Sequence, residues 1–250
     1  MMKVVKSFIL VFGLYSISYS IASADCDSPF LKKVMSYHPE IAYQEENVIA
    51  ACKKFPDKPE FTAFAILNSS GGDTNSYDLN TYIVESNSGK IVSNLYEKQQ
   101  REWLRNLSVD IDTAPYRLNE SIRAFGIRVK TYYRFDEGSS GSYSSSDNLS
   151  LYIFDKKNIS NILSQIELSK EQGGLSPEDC NNSNHSRTII VSSQKTDGYN
   201  DFLIIEKVKN IKKGVGHKCI DSPITTNKYT IKYDSSSRSY LIPKQISSKY

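Results

Sequence analysis

The chain has 250 residues, of which 24% are charged, and a formal net charge of +3 at pH 7. Removing Lys3 and Lys6 with an N-terminal leader lowers the 31 basic residues to 29 against 28 acidic ones, a balance of +1. Because such a chain has no net positive field and no clustered basic stripe, neither nucleic acid nor anionic lipid is expected as a partner.

The first 24 residues predict a signal peptide. Two lysines precede the apolar run 8–14, and Ala22-Ser23-Ala24 places small residues at the two positions that a signal peptidase reads. No later segment is apolar enough to stop transfer, so no transmembrane segment is expected after the leader is removed. The mature chain is therefore expected to begin near Asp25 and to be periplasmic or secreted.

Four cysteines, Cys26, Cys52, Cys180 and Cys219, form an even set, and an exported chain enters an oxidising compartment that favours disulfides. Three pairings are possible, and we expect Cys26 with Cys52 and Cys180 with Cys219, because each pair brackets one local module. Metal binding is the alternative, but the sequence has no C-x-x-C and no closely spaced histidine partner. We therefore expect no metal and no other cofactor.

Residues 25–54 predict a helical hairpin. Asp27 or Ser28 supplies the N-cap, Pro29 takes the first helical position, and Pro39 ends the first helix. A second helix is indicated by residues that fall near one helical face, namely Ile41, Glu45, Val48, Ile49 and Cys52. The first of the two predicted disulfides would staple this hairpin into a cap over one edge or face of a sheet.

Residues 55–250 predict a mainly antiparallel β domain. Tyr, Ser and Asn are abundant, and aromatic side chains suit a pleated, half-buried surface. Strands are predicted at 61–67, 77–85, 90–95, 109–111, 124–133, 149–154, 188–192, 201–208, 229–233 and 240–242. About ten to twelve short strands at this spacing favour a sandwich or propeller-like sheets, so the fold class is mainly β with a small α portion.

Three further segments have other patterns. Residues 96–104 are charged and favour a short helix that carries Trp103. Residues 136–147 are rich in Gly and Ser and predict a mobile loop. Residues 159–168 favour a short helix that leads into a strand.

An Asp-bearing turn followed by a Tyr and a strand occurs three times, at 73–79, 112–118 and 197–203. Such a repeated pattern would fit repeated supersecondary units, although the spacing between the three segments is not constant. The same turns could hold calcium, but none carries a D-x-D-x-D-G series. Turn formation is the favoured interpretation, because Asp and Asn side chains stabilise turns by bonding their own backbone.

The segment 111–118, with the sequence IDTAPYRL, is followed by RAFGIR at 123–128, and together they resemble a stretch of uncharacterised exported proteins of Gram-negative bacteria. The segments 77–79, 149–154 and 198–203 stand in the order found in that group, so the resemblance covers most of the mature chain. The resemblance implies a periplasmic bacterial protein, and it brings no activity, cofactor or catalytic residue.

Core and turn chemistry also explain this segment without a function. Pro115 fixes a turn, and Gly126 lets a neighbouring backbone approach. Phe125, Ile127 and Val129 alternate with Arg128 and Lys130, which gives one buried and one solvent-exposed face. The alternative interpretation is a surface site, which would be formed by Asp112, Tyr116, Arg117, Arg123 and Arg128.

The sequence shows no spacing typical of a catalytic motif. Residues 138–142 lack the G-x-S-x-G spacing of a serine hydrolase. His38, His185 and His217 are scattered, although the predicted second disulfide would bring the last two together. Paired carboxylates of a glycoside hydrolase are assembled in space, and the candidates by proximity are Asp110, Asp112, Glu120 and Glu137.

These patterns favour an exported, non-catalytic binding protein that recognises another protein or an envelope component through a surface rich in Tyr, Ser, Asn and Arg. A sharper version of this hypothesis is an inhibitor or immunity protein. The alternatives are a cell-wall-directed hydrolase and a structural envelope protein.

Overall fold

The structure is a computed structural model that describes residues 28–36, 49–69, 77–99, 105–135, 141–175, 180–213 and 219–247. The predicted signal peptide, the predicted helix break at Pro39 and the first Asp turn at 73–76 lie outside these residues. Within them the chain forms one short helix and thirteen strands, and every strand pair is antiparallel. The predicted mainly β class with antiparallel sheets is confirmed.

The first sheet is a four-stranded meander in chain order. Its strands are β1 (Ile49–Phe55), β2 (Lys58–Ser69), β3 (Tyr77–Glu85) and β4 (Ile91–Gln99). Strand β2 is apolar along most of its length because both of its faces are covered. Ala63, Ala65 and Leu67 join the core shared with the second sheet, and Phe64 and Ile66 lie on the opposite face.

Helix α1 (Ser28–Ser36) covers that opposite face of the first sheet. Of the side chains described at 32–36, those of Val34 and Met35 are buried, and they belong to one cluster with Phe64 and Tyr82. Burial of these apolar side chains stabilises the docked helix, since a nine-residue helix is marginal on its own.

The prediction of a second helix in the hairpin is wrong for the part of it that the structure describes, which begins at Ile49. Residues 49–55, which include Ile49 and Cys52 of the predicted helical face, form β1. Ala51 pairs with Ala65 and Cys52 pairs with Phe64 along β2. Pairing with an adjacent apolar strand therefore overrides the weak helical periodicity of this segment. The rest of the predicted second helix, 41–48, lies outside the described residues.

The second sheet has nine strands in the order β13-β12-β10-β9-β8-β7-β6-β5, and β11 adds to β10. Their bounds are β5 (Arg105–Arg117), β6 (Arg123–Phe135), β7 (Ser142–Phe154), β8 (Ile159–Gly174), β9 (Asn182–Thr196), β10 (Tyr199–Lys213), β11 (Cys219–Asp221), β12 (Thr225–Asp234) and β13 (Ser239–Leu241). The strand β9 turns into β10 through Asp197 and Gly198, both at positive φ, which is the geometry of a two-residue hairpin turn.

The second sheet coils on itself between β8 and β9. These strands pair at Ser169–Gln172 with Ser183–Ser186, and no pairing between them is described N-terminal to Ser169. Strand β13 contacts β8, and Ile246 is buried in the same cluster as Ile162 and Ile166. The segment around Ile246 therefore helps to complete the core of the coiled sheet.

Besides the cluster beneath helix α1, two larger cores result from this arrangement. One lies between the two sheets and includes Leu79 and Ile83 from the first sheet with Ile127 and Tyr152 from the second. The other lies inside the coil of the second sheet, around Phe202. Alternate residues of β6 and β7 face the two cores, so these two strands are covered on both sides.

Three sequence-based predictions of local structure are corrected by this sheet. In the predicted helix 96–104, residues 96–99 belong to β4, and 100–104 lie outside the described residues. In the predicted loop 136–147, residues 142–147 belong to β7, and 136–140 lie outside the described residues. The segment 159–168 is extended throughout and belongs to β8. In β7 the serines bond across strands, as in the 2.7 Å contact between the Ser146 and Thr131 hydroxyls.

The predicted disulfide between Cys180 and Cys219 is confirmed, with its Cα atoms 5.1 Å apart. It ties the start of β9 to β11 at the far end of β10. Cys52 is also disulfide-bonded, and its predicted partner Cys26 lies outside the described residues. In the described part of the chain, no helix is long and apolar enough to cross a membrane.

Candidate ligand-binding site

A pocket of about 280 Å³ opens at the rim of the core between the two sheets. Three turns meet there: β1–β2 at 56–57, β5–β6 at 118–122 and β7–β8 at 155–158. Thr113 of β5 forms a further part of the wall. We call this site the Arg123 pocket, after one of its charged lining residues.

The lining of the Arg123 pocket is mainly apolar. The apolar side chains of the lining include those of Phe55, Ile122, Ala124, Phe125, Ile153 and Phe154. Phe55 is the last residue of β1 and Phe125 the third of β6, and their rings meet edge to face with centroids 5.1 Å apart. Since both rings are also part of the core between the sheets, the lining is held rigidly by the packing of the fold.

The guanidinium of Arg123 is fixed by two contacts. Its Nη2 donates a 2.6 Å hydrogen bond to the carbonyl oxygen of Thr113, and its Nη1 lies 3.4 Å from Oδ1 of Asp57. The Arg123 side chain is 18% exposed, whereas Asp57 is 41% exposed. A largely buried cation is thus oriented mainly by a backbone carbonyl, since the ion pair with Asp57 is open to solvent.

A β-bulge in β5 presents that carbonyl. Asp112 pairs with Gly126 and Tyr116 pairs with Ala124, so residues 113–115 stand opposite Phe125 alone. Pro115 has no N–H to lose in such a bulge. The extra residues bend the strand and direct the carbonyl of Thr113 toward Arg123.

The side chains of Asp112 and Tyr116 close the bulge. Asp112 Oδ1 accepts a 2.8 Å hydrogen bond from the N–H of Ala114, and Asp112 Oδ2 accepts a 2.9 Å bond from the Tyr116 hydroxyl. Burial and the neighbouring Asp112 carboxylate raise the pKa of Tyr116. The phenol therefore stays protonated and keeps its role as donor.

Three more charged residues lie in the rim of the Arg123 pocket: Lys58, Asp155 and Lys156. The Nζ of Lys58 lies 5.8 Å from the centroid of the Phe154 ring. Asp155 accepts hydrogen bonds from the N–H groups of Asn158 and Lys157, at 2.9 and 3.2 Å, and these bonds lower its pKa. The carboxyl of Asp155 is consequently ionised at neutral pH.

The five residues of the predicted surface site have different positions in the structure. Arg123 lines the pocket, and Asp112 and Tyr116 shape the bulge behind it. Arg117 is exposed and pairs with Arg123 across the strands. Arg128 instead forms an ion pair with Asp147, to which its Nε donates at 3.2 Å, and it does not line the pocket.

Sequence reasoning missed the residues that come from the two distant turns, namely Phe55, Asp57, Lys58, Asp155 and Lys156. The segment 55–59 is recognisable as a loop, but Asp57 meets Arg123 only through the packing of one sheet on the other. No local pattern signals that contact.

The described residues add no support for the catalytic and metal-binding alternatives. Asp110 accepts a hydrogen bond from the N–H of Ile111 and Asp112 accepts one from the N–H of Ala114, so both carboxylates bond the nearby backbone of β5. His185 lies in β9, while His38, His217 and Glu137 lie outside the described residues. In the described ranges no group of three His, Cys, Asp or Glu side chains is placed to hold a metal ion.

Of the three predicted Asp turns, the two whose aspartate is described differ in structure. Asp112 lies in a bulge inside β5, whereas Asp197 forms the turn between β9 and β10. The common sequence pattern therefore corresponds to two different backbone settings.

No protein-family model matches the sequence, and no curated protein or solved structure is significantly similar to it.

Proposed function

We propose that this chain is an exported, non-catalytic binding protein that holds its ligand in the Arg123 pocket. The observation that carries the proposal is the oriented guanidinium of Arg123 over an apolar lining. Ligand sites commonly combine a concave, mostly apolar wall with a few polar groups fixed by the scaffold. The bulge of β5 supports this interpretation, because bulges often re-aim side chains at functional positions.

The chemistry of the pocket walls favours binding over hydrolysis. A glycosidase needs one carboxyl with a raised pKa to act as general acid. Here the pKa of Asp155 is lowered by backbone hydrogen bonds, and Asp57 forms an ion pair with Arg123. The Ser121 hydroxyl donates to Asn119 at 3.1 Å instead of to a base. Neither the setting of Asp155 nor that of Asp57 is that of a general acid.

The proposed location remains outside the cytoplasm. The buried Cys180 in its disulfide and the bonded Cys52 are compatible with an oxidising compartment. The resemblance to exported proteins of Gram-negative bacteria supports the same location. Recognition of a protein partner, including the inhibitor or immunity role, stays a prediction.

The test blocks the pocket and asks whether ligand retention is lost. Ser121 is exposed in the turn that lines the pocket, so Ser121→Trp places an indole at its entrance. The matched control is Asn87→Trp, in the exposed turn between β3 and β4, which does not line the pocket. Each mature protein is equilibrated with small molecules from periplasmic extract, and retained compounds are identified by mass spectrometry.

We expect the unsubstituted protein and Asn87→Trp to retain the same compound and Ser121→Trp to lose it. Retention by all three proteins would place the ligand elsewhere. If the unsubstituted protein retains nothing, the pocket has no ligand in that extract and the proposal fails.

A further inference from the structure

Building on the proposed function, we propose that the Arg123 pocket takes a single carboxylate attached to an apolar body. The carboxylate would pair with Arg123, and the apolar body would lie against the aromatic lining. Three properties of the pocket support this choice of ligand.

The first property is the unused donor capacity of Arg123. A guanidinium has five N–H donors in a planar fork that matches a carboxylate in a bidentate arrangement. Among the described residues, Arg123 uses one hydrogen bond to Thr113 and one 3.4 Å ion pair to Asp57. Most of its N–H groups are therefore available to a ligand, in an orientation that the Thr113 carbonyl already fixes.

The second property is the net charge of the pocket walls. Arg123, Lys58 and Lys156 supply three positive charges, and Asp57 and Asp155 supply two negative ones, which leaves one positive charge. One carboxylate balances that charge. A phosphate monoester carries about −1.5 to −2 at neutral pH and would leave excess negative charge beside an apolar surface, which is unfavourable.

The third property is the apolar lining itself. The rings of Phe55, Phe125 and Phe154 and the side chain of Ile153 offer no hydrogen-bonding group to the body of the ligand. A pocket of about 280 Å³ suits a body as small as one aromatic ring or a short acyl chain. A free organic acid and the terminal carboxylate of a peptide with an apolar last residue share this chemistry.

Isothermal titration calorimetry with the mature protein tests the proposal. The first arm compares 3-phenylpropanoate with its amide, and the second compares the peptide Ala-Ala-Ala-Phe with a free and an amidated terminus. The protein variants are Arg123→Gln and Arg123→Lys. The control is Lys130→Gln, an exposed residue on the same strand roughly 23 Å along it from Arg123.

We expect at least one acid to bind about 10- to 100-fold more tightly than its amide, since a charge-assisted hydrogen bond is replaced by a weaker one. Arg123→Gln is expected to remove this preference, Arg123→Lys to keep part of it, and Lys130→Gln to keep all of it. The arm that shows the larger preference identifies the source as a free acid or a peptide terminus.

Equal affinities for acid and amide would overturn the carboxylate assignment, and so would an unchanged preference in Arg123→Gln. If Arg123→Gln does not fold, the comparison of acid with amide on the unsubstituted protein still decides. If no acid binds while the Ser121→Trp test succeeds, the carboxylate assignment is wrong and the proposed function stands. If both tests fail, both proposals are wrong.

Discussion

The hydroxyl of Tyr152 donates a 2.5 Å hydrogen bond to Oε2 of Glu97, and this bond joins β7 of the second sheet to β4 of the first. Asn161 of β8 donates to the other oxygen of the same carboxylate at 2.7 Å. The ring of Tyr152 is fully buried and stacks on Phe125, whose side chain lines the Arg123 pocket. A polar contact thus fixes the sheet packing on which the pocket depends.

Replacing Tyr152 by Phe is expected to lower the free energy of unfolding by about 1–3 kcal/mol, because Glu97 loses a bond inside the sheet interface. Urea denaturation measures the change. Tyr132→Phe is the control, since that ring is 38% exposed, and its effect should stay within about 0.5 kcal/mol. Equal effects of the two substitutions would contradict a role for the Tyr152 hydroxyl.

The same tyrosine predicts alkaline destabilisation. Burial and the adjacent Glu97 raise the pKa of Tyr152 well above its ordinary value of 10.0. The native state therefore holds the proton above pH 10 while the unfolded state releases it, so stability falls as pH rises through that range. Other buried tyrosines share this trend, and the specific outcome is a steeper fall for the unsubstituted protein than for Tyr152→Phe between pH 9 and 11.

Gly126→Ala is expected to disturb the bulge of β5. A Cβ at this position would lie 2.5 Å from Cδ1 of Leu149 and 3.1 Å from Cβ of Asp112. We expect a loss of about 1–3 kcal/mol in the free energy of unfolding, together with weaker ligand binding because Thr113 moves. Gly89→Ala is the control: its positive φ costs stability, but it lies in the turn between β3 and β4, which does not line the pocket, so binding should not change.

Glu206→Gln is expected to cost about 3–5 kcal/mol, because it breaks a buried ion pair. Glu206 is 5% exposed and accepts hydrogen bonds from Arg187, Asn227 and Tyr229. Asp221→Asn is the matched control, since its ion pair with Lys209 is exposed, and its effect should be within about 0.5 kcal/mol.

The Glu206 cluster also gives a pH dependence. Burial alone would raise the pKa of Glu206, but hydrogen bonds from Asn227 and Arg187 outweigh it and lower the pKa below its ordinary value of 4.5. Its contribution is therefore present above pH 4.5 and is lost as pH falls through the lowered pKa. The slope of stability against pH below 4.5 should be smaller in Glu206→Gln than in the unsubstituted protein.

Ile246→Ala is expected to destabilise the second core by about 2–5 kcal/mol, because Ile246 is 1% exposed among apolar neighbours. Leu241→Ala is the control, since Leu241 is 56% exposed and nearby in the chain. A small effect at Ile246 would show that the coiled sheet holds its core without this segment.

The strands were largely predictable because their side chains alternate or form short apolar runs between turn signals. The predicted strand 77–85 coincides with β3, and the predicted turn at 86–89 separates β3 from β4. Two of the failures share one cause: Ile49–Phe55 and residues 142–147 become strands by pairing with the adjacent strands β2 and β6, and their own side-chain patterns do not indicate this pairing.

The candidate site was predictable only in part, for the same reason. Asp112, Tyr116 and Arg123 belong to one distinctive segment, and the structure places all three at the bulge or the pocket. Asp57 and Lys156 reach the pocket from two other hairpins, and only the packing of the sheets brings them near Arg123. The local periodicity of the sequence does not indicate that these residues lie near Arg123.

Strands β8 and β9 pair only at one end, and this incomplete pairing has a consequence for the order of folding. A chain synthesised from its N-terminal end delivers β8 well before Ile246 arrives to cover Ile162 and Ile166. Until then a row of apolar side chains stays open to water, and contacts so distant in sequence form slowly. Molecules whose synthesis stops before Ile246 are therefore expected to aggregate instead of forming a shorter stable domain.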